Sequence, residues 1–514
     1  MAQTFRPPTT QRIYDVCVIG SQLGGAVAGA LLARRGYRVL HVDHDGVSSA
    51  YEDGGYVLPY APALIPSPRL LPAAEMALRE LGLTTDTLRA LEPCAPDLQI
   101  LLPRHRVDIG HDPQRRIQEL KREWPREAEQ LEAAFGHLVK LFDAASPFLK
   151  SMPPLPPAGF GERRAVSKAI RFAASAPGAP HAGVDEALAF QGLADHPLVT
   201  ALGTAQRFLG YLEGPPAPIA TTRLLGGVLR GSHKLVGGNQ GLREGIRRKI
   251  AESRGEILVG GDTAIADRLE MDGSRVAAVR LAGSPNAWVA RVFIGATDSP
   301  VMRRLLPKTE VGSTMATLLE RIRPRRQLLT VNLVVKAAAL PPALGDCVLA
   351  LREANGSYAI DNAVLMQVLP ARRDKGKGAS EVIADERVVC AAGFVDADAR
   401  DEGSAHLTTL GRQIREAVAD AVPFFERHLV RESLPVLAAP TERRGSRLLP
   451  HPLYEVDLEQ TLGVTGLPCR SPYRNLVFAG REVVPGLGLE GEFHAGVQAA
   501  GAAQELLGRK EFLK

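Results

Sequence analysis

Residues 14–43 read YDVCVIGSQLGGAVAGALLARRGYRVLHVD, and their pattern decides the fold. Val16, Cys17, Val18 and Ile19 form a short apolar run rich in β-branched side chains, the composition of a strand buried on both faces. Gly20 breaks that run. From Ala26 to Arg35 good helix formers take over, with Ala28, Leu31 and Leu32 spaced to pack on a sheet. A second strand, Tyr37 to Val42, leads to Asp43. Strand, glycine turn, helix and strand make one β-α-β unit.

The turn Gly20-Ser21-Gln22-Leu23-Gly24-Gly25 matches a dinucleotide fingerprint at two of its three glycine positions. The first glycine makes a tight turn, the second lets backbone approach a pyrophosphate, and the third lets helix pack closely on strand. Gly20 and Gly25 fill the first and third. Gln22 stands at the second, with its amide directed at the space a pyrophosphate takes at the helix N-terminus. Two readings stay open here: an obstructed dinucleotide site, and a packing unit that has lost its nucleotide. Asp43 lies about 20 residues past the turn, where a carboxylate accepts hydrogen bonds from an adenosine ribose. An acidic residue there favours FAD or NAD over a 2′-phosphorylated cofactor.

A chain of 514 residues exceeds one ordinary core and is expected to form two or three domains. Its net charge of +5, with acids and bases interspersed, gives no nucleic-acid footprint. Cys17, Cys94, Cys347, Cys390 and Cys469 show neither a CxxC pair nor a metal spacing, which predicts reduced thiols, no metal and a cytoplasmic protein. The opening MAQTFRPPTTQR has no hydrophobic signal region, and no run approaches the ~20 apolar residues of a spanning helix. Any membrane contact is expected at the surface.

Further along, Asp53-Gly54-Gly55 reads as a hairpin tip. Residues 112–150 repeat Ile117, Leu120, Leu131, Phe135, Leu138 and Leu141 at helical spacing, broken at Pro125. The segment 147–180 begins apolar and proline-rich, too irregular for a core helix. Its second half sets Val166, Ala169, Ile170 and Phe172 among Arg163, Arg164, Lys168 and Arg171. Residues 147–174 therefore read either as a peripheral contact with the inner membrane face or as a solvated helix over a second domain. Gly237-Gly238, a helix from Leu242 and a strand at Ile257 to Val259 make another α/β step. A small antiparallel meander is expected over residues 264–294, and a strand-rich block over 326–395. At the C-terminal end, Asn475 to Gly480 reads as a buried strand entering REVVPGLGLEGEFHAG (481–496) and an Ala-rich helix. This repeats the strand, glycine turn and helix of the N-terminus.

Taken together in their order and spacing, the N-terminal unit, the block from Val236 to Val259 with its Ala296-Thr297-Asp298 ending, and the C-terminal turn resemble the phytoene desaturase-like FAD-dependent oxidoreductases, within the wider amine oxidase and GDP-dissociation inhibitor superfamily. The resemblance implies an α/β fold: a Rossmann-type FAD-binding domain in three pieces, 1–70, 226–305 and 455–514, with an inserted mixed-sheet and helical substrate domain at 71–225 and 306–454. It implies FAD as cofactor and hydride transfer from a lipophilic, isoprenoid- or carotenoid-like substrate. By position, Gly20, Gln22, Gly24 and Gly25 would face the pyrophosphate and Asp43 the ribose. Thr263 to Ala266 would flank the adenine, Gly480, Arg481 and Glu482 the phosphate or ribityl groups, and Gly491 and Glu492 would offer backbone N–H groups to flavin O2.

The departures are specific. No Arg or Lys occurs between Arg38 and Arg69, so the family's Gly-Gly-Arg loop is missing. Arg481 replaces the acidic residue that usually follows the last strand, with Glu482 one place later. Glu490, Glu492 and His494 are the titratable groups expected near the flavin ring, and none is assigned as catalytic. An amine substrate is disfavoured because the C-terminal turn lacks paired aromatics. The competing expectation is a flavin-free lipid- or protein-binding module of the GDP-dissociation inhibitor kind, to which Leu40 to Asp43 is also similar.

Overall fold

The computed structural model describes residues 13–43, 49–173, 192–193, 195–235, 237–259, 264–307, 310–376, 380–438 and 449–508. Val236, Thr263 and residue 174, each part of a stretch singled out above, lie outside them. In chain order the elements begin with β1 (Ile13–Ile19), α1 (Leu23–Arg34), β2 (Val39–Asp43), β3 (Ala50–Asp53), β4 (Tyr56–Pro59) and α2 (Pro72–Glu80). There follow β5 (Leu98–Leu102), β6 (His105–Ile109), α3 (Pro113–Glu123), α4 (Ala128–Lys150), α5 (Phe160–Ala173), α6 (Pro197–Arg207), α7 (Pro218–Leu229) and α8 (Gly238–Glu252). Next are β7 (Glu256–Val259), β8 (Ala266–Asp272), β9 (Arg275–Leu281), β10 (Ala287–Gly295), α9 (Ser299–Leu305), β11 (Ile322–Lys336), β12 (Cys347–Leu351), β13 (Ala363–Asp374) and β14 (Ser380–Asp396). The chain closes with α10 (Ser404–Ala421), β15 (Leu429–Ser433), β16 (Leu453–Val456), β17 (Leu476–Phe478) and α11 (Gly488–Leu506).

One sheet has the order β7-β2-β1-β10-β9-β8, with β17 also paired to β10. β7, β2, β1, β10 and β17 run parallel, in a register that sets Val18 beside both His41 and Ile294. This is the Rossmann-type half. Helix α1 lies against α8 and α11 as well as the sheet, and only its C-terminal tip reaches solvent. Its run of Ala and Gly suits such crowding, because bulky side chains would hold four packed layers apart.

The second sheet has the order β15-β11-β14-β13-β12-β5-β6, with β16 on β11 and the hairpin β3–β4 on β13. One face packs on the helical layer through Phe135, Leu202, Leu225, Leu365 and Phe394, and the other on α10 through Val331, Val389, Ile414 and Val418. The whole is mixed α/β, a Rossmann-type domain joined to a mixed-sheet and helical one.

The antiparallel meander expected over 264–294 is present, β8 pairing with β9 and β9 with β10, and its last strand also pairs in parallel with β1, which joins it to the first sheet. Val292, Phe293 and Ile294 are buried on both faces, as an interior strand requires. Two other expectations change. Helix α4 continues to Lys150 with Pro147 inside it, so irregular chain begins later than the prolines suggested. Helix α5 turns Val166, Ala169 and Ile170 onto the main core and leaves Arg163, Arg164, Lys168 and Arg171 outside. Of the apolar face assigned to a membrane, Val166 is buried and Ala169 and Ile170 are half-buried against protein, while the Phe172 side chain lies outside the described ones.

Candidate functional site

Parallel strands end on the same edge of their sheet, and here the ends of β1, β2, β10 and β17 converge. The strand order reverses at β1, the place where open α/β sheets form ligand crevices. Gly20, with φ of 115°, turns the chain out of β1; a Cβ there would lie 2.1 Å from the Ala296 carbonyl oxygen. Gly24 lets α1 touch β17, since its Cβ would lie 1.8 Å from the Ala479 oxygen. Gly25 and Gly491 sit equally close to Ala296 and Val484. All four glycines therefore serve contacts within the chain.

Gln22 is the hub. It is 6% exposed, its Nε2 donates to Asp298 Oδ1 at 2.8 Å, and its Oε1 accepts the Arg481 N–H at 3.0 Å. Gly480 leaves room for that amide: a Cβ there would lie 2.1 Å from Gln22 Oε1. Asp298 follows β10, and besides Gln22 it accepts the Tyr454 hydroxyl at 2.5 Å and faces the Arg481 guanidinium at 3.3 and 3.4 Å. Burial opposes the charge on Arg481, but Asp298 and Tyr454 outweigh it and keep the guanidinium protonated.

Glu492, in the second turn of α11, faces α1 across the crevice. Its carboxylate accepts the Tyr211 hydroxyl at 2.6 Å and lies near the backbone N–H of Leu23, at the N-terminus of α1. Burial raises the Glu492 carboxyl above its ordinary range, and Arg481 and the Tyr211 hydroxyl offset only part of that rise.

Asp43 is fully buried and ion-paired with Arg243 at 3.2 Å and with Arg247, both from α8. Arg243 also donates to the Ser21 oxygen at 3.0 Å, so its guanidinium lies between the first turn and the end of β2.

Three residues expected near the cofactor face elsewhere. Glu482 accepts the Ser299 N–H at 3.0 Å and the Ser299 hydroxyl at 2.6 Å, which anchors the start of α9. Burial and nearby Asp298 push its carboxyl up. Glu490 is locked in a bidentate pair with Arg223, both contacts at 2.8 Å. His494 is buried and donates its Nε2–H to the Pro153 oxygen at 2.8 Å, and burial lowers its pKa to about 4. It pins the proline-rich segment to α11.

Between this cluster and the second sheet lies a cavity of about 170 Å³. Gln22, Asp298, Arg481 and Glu492 form its polar end, and Leu328, Leu329, Val436 and Leu449 its apolar wall. Arg243, Arg247, Tyr211 and Tyr454 were not singled out from the sequence, and Asp298 was quoted only as the end of the Ala296-Thr297-Asp298 stretch. The one signal was the i, i+4 spacing of Arg243 and Arg247 on one helix face, a pattern shared by ordinary solvated helices. Among the described residues no group of three or more His, Cys, Asp or Glu could hold a metal ion, and no helix is long and apolar enough to cross a membrane. All five cysteines are buried free thiols.

A family described as an NAD(P)-binding Rossmann-like domain matches residues 18–81. No curated protein matches the chain. Among solved structures it is similar to an oxidoreductase from Methanosarcina mazei at 12% identity and a TM-score of 0.54, covering 96% of this chain and 100% of that one. It is similar to a cyclohexylamine oxidase from Brevibacterium oxydans at 15% identity and a TM-score of 0.53, covering 97% and 100%. A putrescine oxidase variant gives 15% identity and a TM-score of 0.56, covering 97% and 99%. At such identities the likeness is one of fold, and it extends over nearly the whole chain.

Proposed function

We propose that this chain is an FAD-dependent oxidoreductase acting on a neutral, lipophilic substrate. The observation that carries the proposal is the convergence of two strand–turn–helix halves, β1–α1 and β17–α11, on one crevice that opens into an apolar-walled cavity against the second sheet. The fold shared with solved amine oxidases, and Asp43 at the end of β2, support it.

The backbone is shaped for a dinucleotide, but the side-chain ends are not yet placed for one. The cavity of about 170 Å³ is smaller than the roughly 300–1,000 Å³ of ordinary ligand pockets. The far ends of Gln22, Arg243, Arg481 and Glu492 line it, each held by a hydrogen bond or ion pair that an incoming ligand would have to displace. FAD would then lie along the first turn, with the end of β2 toward the ribose and the start of α11 toward the ring. Asp43 is sealed by Arg243 and Arg247, and the Gly491 and Glu492 N–H groups lie past the open first positions of the helix, so the roles expected for them do not hold in this arrangement. Bound flavin supplies the hydride acceptor. The protein's part is to orient a substrate on Leu328, Leu329 and Leu449 and to exclude water. Asp298 and Glu492 already have hydrogen-bond donors and face Arg481, so they favour an uncharged substrate over an ammonium.

The test is anaerobic bleaching of the flavin-loaded protein by neutral lipophilic alkenes or alcohols and by primary amines. Bleaching by the neutral set alone agrees with the proposal. Bleaching by amines alone rejects the substrate class, and a protein that takes up no flavin rejects the cofactor.

A further inference from the structure

We infer that Glu492 is a resident anion: its carboxylate occupies the receptor that the N-terminus of α1 offers a diphosphate, and together with Gln22 it sets how tightly this chain holds a dinucleotide. The inference rests on the FAD reading and adds to it the residues that limit affinity.

The first turn of a helix presents backbone N–H groups without partners and a partial positive charge, which is why dinucleotide folds place their diphosphate there. In this chain Glu492 shares the cavity wall with Gln22 and Leu23 of that turn, its carboxylate facing the Leu23 N–H and held by the Tyr211 hydroxyl at 2.6 Å. Gln22 closes the adjacent space, tied at one end to the Arg481 N–H and at the other to Asp298. Two different segments thus supply polar atoms where a bound diphosphate would otherwise do so.

Charge leads to the same conclusion. Arg481 and Arg243 approach this place from the last strand turn and from α8, Asp298 and Glu492 from the end of β10 and from α11, and the pair Asp43–Arg247 lies behind. Cations and carboxylates are equal in number, and each of these cations already faces a carboxylate. A diphosphate brought into the balanced set stands beside two carboxylates, an arrangement that like-charge repulsion disfavours. Removing the Glu492 charge leaves Arg481 in excess for the incoming anion. Replacing Gln22 by glycine then opens the path that the fingerprint's second position normally provides.

Equilibrium dialysis of the purified full-length chain against FAD and, separately, ADP tests this. Glu492→Gln retains an oxygen for the Leu23 N–H and the Tyr211 hydroxyl while deleting the charge. It is expected to tighten both ligands roughly tenfold or more, and Glu492→Gln with Gln22→Gly about a hundredfold. Tighter ADP without tighter FAD supports the resident anion and removes the FAD reading. Tight FAD binding by the unaltered chain, unchanged in Glu492→Gln, overturns the resident anion and leaves the FAD reading standing. Absence of binding to every variant, with circular dichroism showing them folded, overturns both. If Glu492→Gln folds poorly, Glu492→Met with Tyr211→Phe removes both partners of the buried bond, and the same gain is expected.

Discussion

Arg223 and Glu490 offer the sharpest test of how the C-terminal turn is held. Nε and Nη2 of Arg223 each donate to a Glu490 oxygen at 2.8 Å, and Nη2 also donates to the Leu70 oxygen at 2.9 Å. Nη1 donates to the Phe142 oxygen at 3.0 Å and to Ser146 Oγ at 2.9 Å. A guanidinium carries five N–H donors, so every one is used. It also stacks 3.8 Å from the Phe142 ring centre. The two side chains are 1% and 3% exposed, so neither lost charge can be replaced by water. Breaking such a pair from one side costs about 3–5 kcal/mol, because the survivor stays buried and uncompensated. Arg223→Met and Glu490→Gln should each destabilise by about that amount. Arg223→Met with Glu490→Met removes both charges and should recover most of the loss. Urea unfolding followed through Trp124, in the helical layer, and Trp288, in the first sheet, measures this on both sides of the joint. Single substitutions that each cost under ~1 kcal/mol, or a double variant whose cost is the sum of the singles, would refute the reasoning.

Two further expectations follow from burial. His494 is held neutral with its pKa lowered to about 4, below its unfolded value near 6.5. The neutral ring therefore adds stability that is complete above pH ~6.5 and disappears as pH falls through that window to about 4, in all about 3 kcal/mol. His494→Gln should flatten the acid limb of the melting profile between pH 7 and 4.5, and an unchanged slope would reject the assignment. For α5 we propose an electrostatic membrane contact, since Val166, Ala169 and Ile170 pack on protein and its cations are outside. Neutralising Arg163, Arg164, Lys168 and Arg171 should lower binding to anionic vesicles by about 1 kcal/mol per charge at low salt, with no effect on neutral vesicles. Equal binding by the neutralised protein would remove the membrane role.

Local pattern carried the first unit because β1, its turn and α1 are decided within about 30 residues by a continuous apolar run, helix spacing and glycine. The pairing of β10 with β1 is different in kind: nearly 280 residues separate Val16 from Val292, and no periodicity announces a parallel partner. The site follows the same division. Gln22 was visible as a departure at its own position, but its partners Asp298 and Arg481 stand 276 and 459 residues away, so its role as a tie had no local signal. Glu482 and Glu490 were read as facing a cofactor because they lie in the right turn. Side-chain direction sends one to Ser299 and the other to Arg223, and sequence order in a glycine-rich turn does not fix that direction.

The glycines bear on what such a fingerprint means. Gly20, Gly24 and Gly480 would each place a Cβ within 2.1 Å of an atom of this chain. At Gly20 and Gly24 that atom is a backbone carbonyl oxygen, which cannot swing aside. These two glycines are therefore required by packing, with or without a nucleotide, and their presence is evidence of the fold alone. Gly480 answers only to the end of Gln22, a flexible side chain. The position that reports on the ligand is 22, where the chain has exchanged an open path for an amide bonded at both ends. Packing glycines beside a closed approach position therefore separate what the Rossmann-type frame needs from what a bound cofactor needs.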